Sequence, residues 1–418
     1  MIDKISRFNF WQGQVPAIGY LRKGYVERLI KTMNNSLVKV FTGQRRSGKS
    51  YLLRMLLKHL LVEQKVRPEN ILYLNMEMYE LEEINDSRKF MALIDQYRKA
   101  LKPVGKVYLF LDEIQEVEGW EKAVNSLSQD TSAECEMFIT GSNAHLLSKE
   151  LATYLTGRYI PFEVFPYSYG EYCDISGMKR GAESFAGYLK NGGMPETFHL
   201  NDNETIRNYL ATLLDSILLH DIVRRHKVRD VALLQRLCTF LTDTIGSYFS
   251  VNGIVRHLNG SGHKTNVETV SNHIRYLTDA YLFHEVERYD IQGKRILGGE
   301  RKYYLNDLSF RYYLAPSFDP GLGKYLENAL YLHLIRNGYK IYTGRNTSGE
   351  VDFVAEKDDE RLYCQAAYLL ADEQVIDREF RSLLAIPDNH PKFVVSMDQA
   401  DLGNKEGIRH VQAWEFID

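Results

Sequence analysis

Two short stretches hold residues whose types and spacing could act together on a phosphate. The first is Gly43-Gln44-Arg45-Arg46-Ser47-Gly48-Lys49-Ser50, a full match to G-x-x-x-x-G-K-[ST]. Successive backbone N–H groups along Gly43 to Ser50, with the helix start behind them, make an anion cradle. Lys49 is the residue that reaches the β- and γ-phosphates, and the Ser50 hydroxyl coordinates Mg²⁺. The second stretch is Val107-Tyr108-Leu109-Phe110-Leu111-Asp112-Glu113, an apolar run ending in two carboxylates. Asp112 is placed to hold Mg²⁺, directly or through water, and Glu113 to orient and polarise the attacking water. A buried strand capped by two acidic residues would read the same way alone. The upstream loop makes the chemical reading the stronger one, and together they predict a nucleoside triphosphate site.

Such residues need a scaffold that brings both stretches to one edge. Leu37 to Thr42 reads as a buried strand and Tyr51 to Val62 as a helix, so the loop stands between strand and helix as its motif requires. Asn70 to Asn75 reads as a second strand. A helix follows over Ser87 to Leu101, with Phe90, Leu93, Ile94 and Tyr97 on one face. Met137-Phe138-Ile139-Thr140 is a further apolar strand, ending in the small polar residues Gly141-Ser142-Asn143. Strands alternating with helices predict a parallel, doubly wound α/β sheet with its ligand at the carboxyl ends of the strands.

Composition sets outer bounds. The 418 residues are 44% hydrophobic and 26% charged, which suits a soluble globular protein of two or three domains. A net charge of −3 leaves nucleic-acid binding to local patches. The four cysteines form no C-x-x-C pair, so neither a zinc site nor a disulfide framework is expected, and a reducing cytoplasm fits. Met1 to Phe10 lacks the apolar core of a signal peptide, and no apolar run reaches the roughly 18 residues of a membrane span.

The motifs resemble a known family. Gly43 to Ser50, Leu111-Asp112-Glu113-Ile114-Gln115, Thr140-Gly141-Ser142-Asn143, Leu155-Thr156-Gly157-Arg158, Phe165 to Tyr172 and Gly192-Gly193-Met194-Pro195-Glu196 look like those of prokaryotic AAA-domain ATP-binding proteins that carry a C-terminal domain of unknown function. The resemblance implies an AAA+-like P-loop ATPase core using ATP and Mg²⁺, a helical lid, a winged helix and a restriction-nuclease-like terminal domain. It implies a bacterial, cytoplasmic hydrolase. AAA-type ATPases put a polar sensor after the strand that ends here at Thr140, a role open to Ser142 or Asn143; a plain turn is the alternative. Arg158 suits an arginine finger, acting in cis or from a neighbouring subunit, or else a surface arginine in a turn.

The second half offers partner surfaces rather than a second certain site. Residues 203–222 have helical periodicity and lead into Val223-Arg224-Arg225-His226-Lys227-Val228-Arg229. Arg224 or Arg225 could contact nucleotide from a lid, although a solvated helix end explains both. Residues 231–305 suit three helices and two strands, with Thr265-Asn266-Val267-Glu268 as a capping box. A DNA-reading version would present His263, Lys264, Asn266, Thr269 and His273, with Lys294 and Arg295 on the wing. Eight Lys/Arg against six Asp/Glu between Val251 and Lys302 is a weak surplus for phosphates. Further on, Glu327, Glu350 and Asp352 outline a nuclease metal set, but Gln365 and Ala367 stand where an active site has an acid and a lysine.

The reading is therefore an α/β chain of four parts: residues 1–175 an AAA+-like ATP-binding domain, 176–230 a helical lid, 231–310 a winged helix, and 311–418 a degenerate nuclease-like domain. ATP is the expected ligand and slow Mg²⁺-dependent hydrolysis the expected reaction, with Lys49, Glu113 and Arg158 as catalytic residues. The nucleotide state would switch contacts of the C-terminal half with DNA, a protein partner or another copy, away from membranes. The alternatives are an ATP-binding switch or scaffold with negligible turnover, and an ATP-gated nuclease.

Overall fold

The computed structural model describes residues 1–130, 134–144, 154–315 and 321–417. The chain divides into two compact units, Met1–Val164 and Phe165–Asp418.

The first unit is built on five parallel strands: β1 (Val38–Thr42), β2 (Ile71–Asn75), β3 (Val107–Asp112), β4 (Cys135–Thr140) and β5 (Tyr159–Glu163). Their order across the sheet is β2-β3-β4-β1-β5. Helix α1 (Lys49–Val62) covers one face, where Leu52, Leu53 and Leu56 pack with Phe41, Phe110 and Phe138. Helices α2 (Ser87–Leu101) and α3 (Trp120–Ser128) cover the other, with Phe90, Leu93 and Val124 against Val40, Leu109 and Ile139. Both faces are buried, which is why these strands read as continuous apolar runs rather than alternating ones. The expected parallel α/β core is present. A buried ion pair lies inside it: Lys39 on β1 is fully buried and pairs with Glu136 of β4 at 2.5 Å.

The second unit begins with motifs that had signalled the family and turn out to hold backbone together. Ser168 and Glu171 close a capping box on the helix Tyr169–Ser176. Gly193 O accepts from Tyr167 N at 2.7 Å, and Gly193 N donates to Asp307 Oδ2 at 2.7 Å. The three segments approach so closely that a Cβ on Gly193 would lie 2.1 Å from the Tyr167 carbonyl oxygen. Helix α4 (Asn203–Ser216) continues as a π-helical run, Ile217–Arg224. Then come α5 (Val231–Asp243), α6 (Val251–Gly260), α7 (Val267–Asp279) and a hairpin of β6 (Phe283–Asp290) with β7 (Arg295–Leu305). The α7 cap is Asn266, whose side chain accepts from Thr269 N, so the cap falls one residue later than the expected Thr265 box.

Helix α8 (Leu322–Arg336) precedes β8 (Lys340–Asn346), β9 (Gly349–Lys357), β10 (Glu360–Ala367), β11 (Lys392–Ser396), β12 (Asn404–Lys405) and β13 (Ile408–Gln412). The hairpin does not stand apart from these strands. It joins them through parallel β6–β8 pairing, giving one eight-stranded sheet in the order β12-β13-β11-β10-β9-β8-β6-β7.

Candidate nucleotide site

Strand register decides what meets at the carboxyl edge of the first sheet. β1 and β4 are neighbours, with Phe41 opposite Thr140, so the phosphate loop and Gly141-Ser142-Asn143 leave the sheet side by side. β3 lies between β2 and β4 and delivers Asp112 and Glu113 to the same edge, with Asn75 opposite Asp112. This is the position where open parallel sheets take ligands.

Two glycines allow the loop its path. Gly43 has φ +142°, and a Cβ there would fall 2.3 Å from the Val164 carbonyl oxygen as β5 passes. Gly48 has φ +99° and caps α1 in the left-handed region that glycine adopts freely. Lys49 is 4% exposed; its Nζ donates to the carbonyls of Gly43 at 3.0 Å and Gln44 at 3.1 Å. Glu113 Oε1 lies 3.9 Å from the same nitrogen. Arg45 pairs with Glu77 at 3.1 Å, Arg46 has φ +66° and an exposed side chain, and Gln44 is buried. The buried hydroxyls of Ser47 and Ser142 have no hydrogen-bond partner among the described residues. Native interiors seldom leave such groups unpaired, so these two fit a polar ligand at this edge.

Asp112 is the centre of the acidic side. Its Oδ1 accepts from the Thr140 hydroxyl at 2.5 Å and its Oδ2 from the Tyr73 hydroxyl at 2.8 Å; the Ser50 hydroxyl bonds it too. Burial, and then the neighbouring Glu113 charge, push this carboxyl above its ordinary range, against the pull of those three hydroxyls. Glu113 has φ +52°; its N–H donates to Thr140 Oγ1 at 2.9 Å and its Oε2 accepts from Gln115 at 2.5 Å. Thr140 therefore ties both carboxylate residues to β4. Tyr73 did not stand out in the sequence, and Thr140 stood there only as part of the Thr140-Gly141-Ser142-Asn143 motif, with no role of its own.

The structure brings Lys49, Ser50, Asp112, Glu113, Ser142 and Asn143 to one edge. It does not bring Arg158 there. Arg158 O accepts from Val38 N at 2.9 Å, at the start of β1, while the loop follows the end of β1. Four residue steps of strand separate the two, roughly 13 Å. Its exposed side chain touches Asn125 at 3.4 Å. Of the readings open to Arg158, a finger in cis, a finger from a neighbouring subunit or a surface arginine, the first is not favoured, because the residue sits on the opposite edge of the sheet.

In the second unit, Arg224 lies in the π-helical run with its Nη1 3.4 Å from His220 Nε2. His273 is 5% exposed and belongs to the core, which corrects its place on a groove-facing surface. Arg288, Arg295 and Arg301 of the hairpin each face a carboxylate, of Glu300, Asp290 and Glu285 respectively. Glu327, Glu350 and Asp352 do converge, around the ammonium of Lys302.

A family profile described as an AAA domain matches residues 35–173, the span that holds every loop and strand of this edge. The chain is also 34% identical over 400 residues to an uncharacterized protein of Haemophilus influenzae, covering 95% of this chain and 98% of that one. The chain belongs to one family with that Haemophilus influenzae protein, and its residues 35–173 form an AAA domain. This AAA-domain chain is 29% identical over 373 residues to an uncharacterized protein of Methanocaldococcus jannaschii, covering 84% and 79% of the two chains. A second profile, a domain of unknown function (DUF8612), matches residues 182–321. Among solved structures it resembles a Walker-type ATPase of Pyrococcus abyssi, with a TM-score of 0.40 and 16% identity over 71% of this chain and 95% of that chain. Among the described residues, no helix is long and apolar enough to cross a membrane.

Proposed function

We propose that the protein is a slow, Mg²⁺-dependent ATPase whose nucleotide state alters the contacts made by its second unit. The observation that carries this reading is the single hydrogen-bonded network joining Ser50, Asp112, Thr140 and Glu113 beside the phosphate loop. The backbone of Gly43 to Ser50 cradles the phosphates, and Lys49 exchanges its two loop carbonyls for phosphate oxygens. Ser50 and Asp112 would hold Mg²⁺, which when bound neutralises charge on the β- and γ-phosphates. Glu113 orients the attacking water and takes its proton. Ser142 or Asn143 senses the γ-phosphate. An arginine-finger role for Arg158 is assigned to contact with a neighbouring copy.

For the second unit we propose a winged-helix-like arrangement of α5 to α7 with the hairpin, continuous with a nuclease-like sheet that has lost its chemistry. Its partner is more in keeping with protein than with DNA, because the hairpin arginines are already neutralised by carboxylates. The test is Mg²⁺-ATP binding to wild type and Lys49→Ala by equilibrium titration. The reading expects at least a hundredfold loss of affinity in the variant. Equal affinity would overturn it.

A further inference from the structure

Two elements aim three carboxylates at one point in the second unit. Glu327 comes from α8, and Glu350 and Asp352 come from β9. Lys302 reaches that point from β7 with a side chain 4% exposed. Its Nζ lies 2.7 Å from Glu327 Oε1 and 3.7 Å from Asp352 Oδ1, and it contacts Glu350 Oε1 directly. Tyr304 donates to the same Glu327 Oε1 at 2.7 Å, and Ala366 N donates to Asp352 Oδ2 at 2.8 Å. On β10, Gln365 spends its amide on Asp352 N and Glu379. Among the described residues, no group of three His, Cys, Asp or Glu is arranged to hold a metal ion.

We infer that Lys302 is a built-in counter-ion that closes the Glu327–Glu350–Asp352 centre to divalent cations and clamps the β6–β7 hairpin onto α8 and β9. The electrostatics require an occupant: two buried carboxylates with a third, half-exposed one at their rim would be strongly unfavourable without a cation. A divalent ion needs several oxygens at about 2.0–2.6 Å, and an ammonium at the same focus both blocks those directions and repels the ion. Burial alone would make the ammonium harder to keep charged, but the three carboxylates more than reverse that. The clamp explains why the hairpin continues the C-terminal sheet instead of standing free as a wing.

Mn²⁺ binding followed by electron paramagnetic resonance tests this, without nucleotide, on the full chain carrying Asp112→Asn to silence the first unit. With Lys302 present, no Mn²⁺ is expected at the second-unit centre. Lys302→Met is expected to gain one site at least tenfold tighter than any background, lost again with Glu327→Gln. Hydrogen exchange of amides 283–305 is expected to quicken at least tenfold in Lys302→Met. If that variant fails to fold, Lys302→Met with Glu350→Gln removes one surplus charge and keeps two ligands. A Mn²⁺ site at Glu327 and Asp352 with Lys302 intact, or folded Lys302 variants that gain no site and exchange at the wild-type rate, would overturn the inference.

Discussion

Thr140→Val should damage the first unit more than its size suggests. Valine is nearly isosteric with threonine, so packing is kept while two buried hydrogen bonds are lost. One is the 2.5 Å bond from Thr140 to Asp112 Oδ1, and the other is the 2.9 Å bond accepted from Glu113 N. A bond to a charged group contributes about 1.5–3 kcal/mol, and a stranded buried N–H costs about 1–3 kcal/mol. Some overlap between the two is expected, so the loss is about 3–4 kcal/mol, or roughly 10 °C in melting temperature for a unit of this size. Trp11 and Trp120 pack in the first unit and Trp414 in the second, so urea unfolding in a Trp414→Phe background reports the first unit alone. Thr140→Ser, which keeps the hydroxyl, should recover most of the loss. If Thr140→Val unfolds at the wild-type urea concentration, Thr140 does not tie the two carboxylate residues together.

Gly193→Ala should destabilise the second unit by about 2–3 kcal/mol, since the new Cβ would meet the Tyr167 carbonyl oxygen at 2.1 Å; Trp414 fluorescence during urea unfolding measures it, and a change under 0.5 kcal/mol would remove the three-segment junction from the account. His284 is buried, bonds Asn306 at 3.1 Å, and burial pushes its pKa down to about 4. The unfolded chain, with a His pKa near 6.5, takes up the proton first as pH falls. The stability held above pH 6.5 is therefore lost progressively towards pH 4, by up to about 3 kcal/mol. The wild-type stability, minus that of His284→Gln at each pH, should show that slope, and a flat difference would contradict it.

The parts of the fold legible in the sequence were those written in local periodicity. The β1 to β4 runs and the helix Ser87–Leu101 were readable because a strand buried on both faces, or a helix with one apolar face, carries its signature within its own residues. Partners set by strand order were not. Thr140 and Tyr73 matter only because β4 and β2 flank β3, and no spacing along the chain states that order. The choice among the readings of Arg158 stayed open for the same reason: a Gly-Arg pair does not say at which edge of a sheet it stands. Lys39 is a charge inside a strand that otherwise reads as apolar, explained by Glu136 on β4 and the Asn35 side chain. Lys302 is the sharpest case, because Glu327, Glu350 and Asp352 follow it by 25 to 50 residues and meet it only through tertiary packing.

On the proposed function, Glu113 and Asp112 serve hydrolysis at the phosphate loop. Single-turnover phosphate release from Mg²⁺-ATP, measured with wild type and Glu113→Gln at saturating protein, tests it most directly. Both should bind ATP with similar affinity, and Glu113→Gln should release phosphate at least a hundredfold more slowly, the usual scale of a lost general base. Equal release rates, or no release from wild type at all, would contradict it.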